Sequence, residues 1–194
     1  CKEMGIQFTG LQSDDDLNKQ ISDIEDLLAK GIDVLILNPK DPEALKPSVT
    51  ACKNAGVPVI VIDNPMPEDS DYTCLVTSDN FTIGKLVGDY TATQIDTSNI
   101  KIGMLSGQPG SLASDLRRTG FMVGLTEALL KADNSYQVQV LTQGWGEWGT
   151  PQGQAAFEDM LSAFPDINLL VAENDAMAIG ALQVIEEQGL QDKI

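Results

Sequence analysis

Six places in the chain put hydrogen-bonding or flat aromatic side chains just after an expected strand: Asn38, Asp63-Asn64, Ser78-Asp79, Ser106-Gly107, the segment from Trp145 to Trp148, and Glu173-Asn174-Asp175. A short apolar run bounded by turn residues reads as a buried strand, and ligands of open α/β sheets bind beyond the carboxyl ends of the strands. Asp and Asn side chains accept from hydroxyls, Asn also donates to them, and an indole can cover an apolar C–H face. That mixture suits a ring-shaped polyol. Taken singly, each of these residues has a structural reading too, as a helix cap or a turn.

The most informative of these tips ends the run Leu169 to Ala172. Beyond Glu173-Asn174-Asp175, Ala178, Ala181, Leu182 and Ile185 fall at i, i+3, i+4 and i+7, the stripe of a helix that Asn174 or Asp175 can cap. Arg117 and Arg118 lie in the first turns of another expected helix, where the macrodipole opposes a cation. One can face solvent, while the other is placed to reach a ligand hydroxyl or a carboxylate such as Asp63.

Several chemistries are excluded or weakly supported. The chain has no His, which removes Ser-His-Asp and Cys-His catalysis and the HExxH zinc motif. An acid–base enzyme would have to use carboxylate pairs such as Glu147 and Glu173. Gly103, Gly107 and Gly110 are spaced G-x-x-x-G-x-x-G rather than as a dinucleotide fingerprint, and Gly84-Lys85 lacks the remainder of a phosphate loop. The triplet Asp14-Asp15-Asp16 lacks the alternating ligands of a calcium loop and reads as a helix N-terminus. A formal charge of −17 repels nucleic acid and anionic lipid, and no apolar run is long enough to span a membrane. Cys1, Cys52 and Cys74 have no metal-ligand spacing, and Cys52 and Cys74 read as small core residues. No cofactor is expected.

Positioning those tips requires strands alternating with helices. Strands are expected at Ile6 to Thr9, Ile32 to Leu37 (covered on both faces), Val57 to Ile62, Cys74 to Thr77, Ile100 to Leu105, Tyr136 to Leu141, and Leu169 to Ala172. Helices are expected with a buried stripe at Leu17, Ile21, Ile24, Leu27 and Leu28, from Asp41-Pro42 with Pro47 delaying or kinking it, from about Phe81 to Ile95, from Leu112 to Lys131, from Pro151, and after Asp175. The alternation predicts an α/β fold with parallel sheets and right-handed crossovers.

The blocks Ile36-Leu-Asn-Pro39, Val59-Ile-Val-Ile-Asp63, Thr77-Ser-Asp-Asn80 with Gly84-Lys85 and Gly88-Asp-Tyr90, the run from Gly110 to Phe121, and Glu173-Asn174 through Leu182 together resemble the periplasmic ribose-binding protein family. The resemblance covers essentially the whole chain. It implies two Rossmann-like lobes with parallel sheets around a ligand cleft: residues 1–78 as an N-terminal lobe lacking its first strand, and 79–194 as a C-terminal lobe lacking its last strands. It implies that Asp63 and Asn64 face the ligand from one lobe and Arg117, Trp148 and Asn174 from the other. Asp63 would receive sugar hydroxyls, Arg117 would supply a guanidinium, Trp148 would stack, and Asn174 would bind a hydroxyl while Asp175 caps. Asn64 stands where the ribose receptors carry an Arg, which leaves pentoses, hexoses, furanoses and polyols open.

The function implied is non-catalytic binding of a monosaccharide or polyol by the solute receptor of a sugar ABC transporter. A ligand would shift the lobes toward closure through its differential affinity for the closed state. A permease partner, a monomeric state and a periplasmic or extracellular membrane-associated location follow from the same resemblance, while the charge and the short apolar runs already argue against a nucleic-acid partner and membrane insertion. The rival readings are the ligand-sensing core of a lac-repressor-like regulator and the input domain of a sensor kinase system.

Overall fold

The computed structural model describes residues 2–14, 16–96, 98–132 and 137–194, so expectations that fell on Cys1, Asp15 and Tyr136 lie outside the described residues. The chain divides into two compact units, Cys1–Ser78 and Asp79–Ile194.

In the first unit a 3-10 turn at Lys2–Met4 is followed by α1 (Leu17–Ala29), β1 (Leu35–Leu37), α2 (Lys46–Asn54), β2 (Val59–Ile62) and β3 (Cys74–Val76). The strands form a parallel sheet in the order β1-β2-β3, with Leu35 opposite Val59 and Ile60 opposite Cys74. Asp16 caps α1 by accepting from the Lys19 N–H at 3.1 Å. Pro47 sits in the first turn of α2 and holds its start back to Lys46. Leu35, Leu37, Val59 and Val61 pack with Ile24, Val49 and Cys52 as one core, joined by Leu17, Ile21, Leu27 and Leu28 along the expected stripe of α1. Burial raises the pKa of the Cys52 thiol above its ordinary value.

Three expectations for this unit are corrected. Ile6 to Thr9 is not a strand; it is exposed, irregular chain, because no described strand offers its backbone a partner. Among the described residues the run around β1 is covered on one face, since α1 and α2 pack on the side of Leu35 and Leu37 and Ile36 remains 56% exposed. Cys74 is exposed on the outermost strand rather than buried in the core.

The second unit runs α3 (Asn80–Thr91), β4 (Ile100–Ser106), α4 (Leu112–Ala132), β5 (Val138–Trp145), α5 (Thr150–Ala163), β6 (Leu169–Ala172) and α6 (Asp175–Glu187). Its sheet is also parallel, in the order β5-β4-β6. Asp79 caps α3, and the Thr82 N–H donating to it at 3.0 Å holds the Asp79 carboxyl below its usual range. Two helix pairs cross at glycines. A Cβ at Gly84 would strike the Arg117 carbonyl and one at Gly120 the Phe81 carbonyl, so α3 and α4 touch backbone to backbone. A Cβ at Gly153 would lie 2.7 Å from the Cα of Met177, and one at Gly180 would strike the Thr150 carbonyl, so α5 and α6 do the same. Strand β5 is longer than expected and takes Trp145 into the sheet opposite Ser106. No helix of the described residues is long and apolar enough to cross a membrane.

Candidate functional site

The sheet order of the second unit selects one place. From β4 the chain goes out to β5 on one side and then crosses to β6 on the other, so the direction of winding reverses at the carboxyl end of β4. Open α/β sheets place their ligands at such a reversal. The residues that meet there are Ser106 at the end of β4 and Gly107 after it, Glu173 and Asn174 after β6, and the first turns of α4.

Glu173 ties them together. Its side chain is only 1% exposed. The carboxylate accepts from the Gly107 N–H at 2.9 Å and from the Ser114 hydroxyl through the same oxygen, Oε2. Its other oxygen, Oε1, has no hydrogen-bond partner among the described residues and lies 3.8 Å from Nη1 of Arg118. The guanidinium of Arg118 also pairs with Asp115 at 2.5 Å and approaches the buried Ser106 hydroxyl at 3.5 Å, which in turn accepts from the Gln143 amide at 2.9 Å. The backbone carbonyl of Glu173 accepts from Nη1 of Arg117 at 2.7 Å, and Nε of Arg117 donates to Asn80 at 2.9 Å. One bond to a backbone carbonyl and one to a side-chain amide oxygen fix the plane of that guanidinium.

Arg117 lies over the Trp148 indole, 5.6 Å from the ring centroid, within cation–π range. Against the same ring packs Gly107, where any Cβ would overlap the indole. Glu147 and Trp148 hold left-handed backbone angles, φ +48° and +63°. A bulky residue in that region carries a conformational cost of order 1–3 kcal/mol and persists where its surroundings dictate it. Here they do: the Gly146 and Glu147 N–H groups donate to the Ser106 and Gly107 carbonyls at 2.8 and 2.9 Å, carrying the β4–β5 ladder into the turn.

Asn174, not Asp175, is the cap of α6. Its side-chain oxygen accepts from the Met177 N–H at 2.9 Å, while its amide donates to the Trp148 carbonyl at 3.0 Å. Asp175 is instead the first helical residue, where its charge complements the dipole. Replacing Asn174 with Ala removes a cap and a bond to the tryptophan turn together. A loss of about 1–2 kcal/mol is expected from the cap, read as a lower midpoint in thermal unfolding by circular dichroism.

The first unit has its own polar tip. Asp63 is exposed and left-handed, φ +63°, with its N–H donating to Val76 O at 3.0 Å and its carbonyl accepting from the Thr77 hydroxyl at 2.7 Å. Asn64 is half-buried and donates to Pro39 O at 3.2 Å.

Thus Arg117, Trp148 and Asn174 are brought into one constellation within the second unit, and Asp63 and Asn64 form a neighbouring pair in the first. Sequence reasoning missed the buried role of Glu173 with its partner Ser114, and the bonds of Asn80 to Arg117 and of Gln143 to Ser106. A Glu ending an apolar strand, between that strand and a capping Asn, was the available signal for the first. Among the described residues no group of three or more His, Cys, Asp or Glu side chains could hold a metal ion.

A family model described as a periplasmic binding protein domain matches residues 1–194. The chain is 32% identical over 189 residues to the ribose import binding protein RbsB of Bacillus subtilis, covering 97% of this chain and 58% of that protein. It superimposes with a TM-score of 0.85 and 26% identity on an ABC transporter periplasmic solute binding protein from Actinobacillus succinogenes with bound D-allose, covering 99% of this chain and 67% of that one. A fructose-binding periplasmic domain of a hybrid two-component system aligns with a TM-score of 0.83 and 26% identity, over 97% of this chain and 60% of that one. The chain spans about three fifths of the length of the curated relatives it matches, 58% and 61% of the first two. Its two parallel-sheeted α/β units agree with these neighbours in fold, and with the family model matched from end to end, the chain belongs to the periplasmic binding protein domain family.

Proposed function

We propose that this chain is the sugar-holding part of a non-catalytic solute receptor for a sugar ABC transporter, with a monosaccharide or polyol as its ligand. One observation carries the reading: a guanidinium, an indole and a capping amide (Arg117, Trp148 and Asn174) converge where the β5-β4-β6 sheet reverses. An indole offers a flat face to sugar C–H groups, and the neighbouring donors and acceptors suit hydroxyls. In the first unit, Asp63 and Asn64 are assigned to ligand hydroxyls. The names of the relatives, which specify ribose and D-allose, support the ligand class. On this reading a permease is the partner, the location is periplasmic or extracellular, and the receptor is a monomer.

A second reading, the input domain of a sensor kinase system, is favoured by the likeness to the fructose-binding domain of a two-component system. It uses the same ligand site and differs in what is coupled to it.

The test is fluorescence titration with ribose, allose, fructose, myo-inositol and glycerol. At least one is expected to give a saturable change in tryptophan emission with no turnover of the sugar. A flat response to the whole panel would sink the proposal, and consumption of a sugar would move it to an enzyme.

A further inference from the structure

Two groups that lie against the Trp148 ring at the reversal point, Gly107 and Arg117, are both held by Glu173. Gly107, packed against the indole, is fixed through its N–H by the carboxylate of Glu173. Arg117, which lies over the indole, is fixed through Nη1 by the carbonyl of Glu173. The turn that carries Trp148 is bonded through its carbonyl to the next residue, Asn174. The carboxylate also takes the Ser114 hydroxyl in the first turn of α4, the helix that presents Arg117, so it locks that helix to the end of β4. These partners come from β4, α4 and the exit of β5, three elements that β6 does not follow directly in sequence.

A carboxylate this buried is costly unless it is bonded. An apolar side chain would fill the same volume without that cost, so packing alone does not call for a Glu here. Its second oxygen, without a hydrogen-bond partner among the described residues, stands 3.8 Å from Arg118, a guanidinium that an ionised carboxylate attracts and an amide does not.

We infer that Glu173 is a positioning residue for the indole site: it sets the spacing of Arg117 and Gly107 on Trp148, and so the readiness of that ring to receive a ligand. The part of this inference that concerns affinity rests on the proposed sugar binding; the part that concerns the indole does not.

The experiment uses a Trp145→Phe background, which leaves Trp148 as the sole tryptophan. Acrylamide quenching of Trp148 is measured without sugar, at a temperature where circular dichroism shows each variant folded. Glu173→Ala is expected to raise the quenching constant about two-fold or more, and Glu173→Gln to fall between it and the parent, because the amide oxygen still accepts from Gly107 while the attraction for Arg118 is gone. Leu129→Ala, a truncation in the separate cluster around Phe121 and Leu125, serves as the control for lost stability and is expected to leave quenching at the parent value. Should Glu173→Ala fail to fold, Glu173→Gln decides alone. Parent-like quenching in the folded Glu173 variants, or an equal rise in Leu129→Ala, overturns the inference. With any sugar that binds the parent, Glu173→Ala is expected to weaken binding at least ten-fold. If no sugar binds the parent, it is the proposed function that fails, and quenching still judges the role of Glu173.

Discussion

Gly120→Ala is expected to lower the stability of the second unit by roughly 2 kcal/mol, although the substitution is favourable for a helix by itself. Alanine is preferred to glycine within a helix by about 1 kcal/mol. Against that stands the crossing of α3 and α4, where the new methyl would overlap the Phe81 carbonyl oxygen and come within 2.9 Å of the Lys85 nitrogen. Backbone atoms of a packed helix cannot rotate aside as a side chain can, so the helices must separate. Overpacking typically costs about 1–3 kcal/mol, and more where the obstacle is rigid. Steric cost therefore wins over propensity. Both tryptophans lie in the second unit, so urea unfolding followed by their emission reads this unit directly. A midpoint equal to or above that of the parent would show that the helices part at little cost. The same crossing brings Asn80, at the start of α3, onto Nε of Arg117, so a folded Gly120→Ala protein should also show a perturbed tryptophan environment.

The elements that were legible are those whose pattern is local. The runs at Val59–Ile62, Ile100–Ser106 and Leu169–Ala172 are strands because each is apolar enough to be buried within its sheet, and Phe157, Met160 and Leu161 line the buried side of α5 as their spacing requires. What failed depended on partners far along the chain. Ile6 to Thr9 has strand-like residues but no strand among the described residues to bond. Strand β5 continues through Thr142, Gln143 and Gly144, a polar stretch that reads as loop, because its register along β4 runs on to Ser106. Asn174 and Asp175 are both good caps, and periodicity fixes a helix start only to within a residue or two.

The candidate site was legible as a set of strand-exit positions and illegible as a set of bonds. Asp63 and Trp148 are unusual in sequence only as polar and aromatic strand exits; their left-handed backbones, the strongest local sign of a built site, appear only in the fold. Glu173 reads as one polar residue among three. Its burial is created by Gly107 and Ser114, which arrive from 66 and 59 residues away. The glycines of the helix crossing stand at four-residue spacing, Gly84 with Gly88 and Gly120 with Gly124, which was the available sequence signal for the close contact seen in the fold.

Substitution of Asp63 is expected to separate binding from stability. Asp63→Asn keeps a residue type that tolerates the left-handed backbone while removing the carboxylate. A hydrogen bond to a charged group contributes about 1.5–3 kcal/mol, so losing one such bond to a ligand hydroxyl corresponds to roughly a ten- to hundred-fold loss of affinity. With two hydroxyls on one carboxylate, binding drops out of a thermal-shift screen altogether. The ligand-free unfolding midpoint, by contrast, should stay close to that of the parent, since Asp63 is exposed and its structural bonds, to Val76 and from Thr77, are made by the backbone. Asp63→Gly goes further. Glycine takes φ near +63° without the steric cost of a Cβ, so this variant is expected to be at least as stable as the parent and yet to bind no sugar. A protein that keeps its sugar-induced shift in both variants would show that the first unit's tip is only a turn. One that loses the shift while holding its own stability would place Asp63 among the groups that read the ligand, with its backbone strain maintained for that purpose.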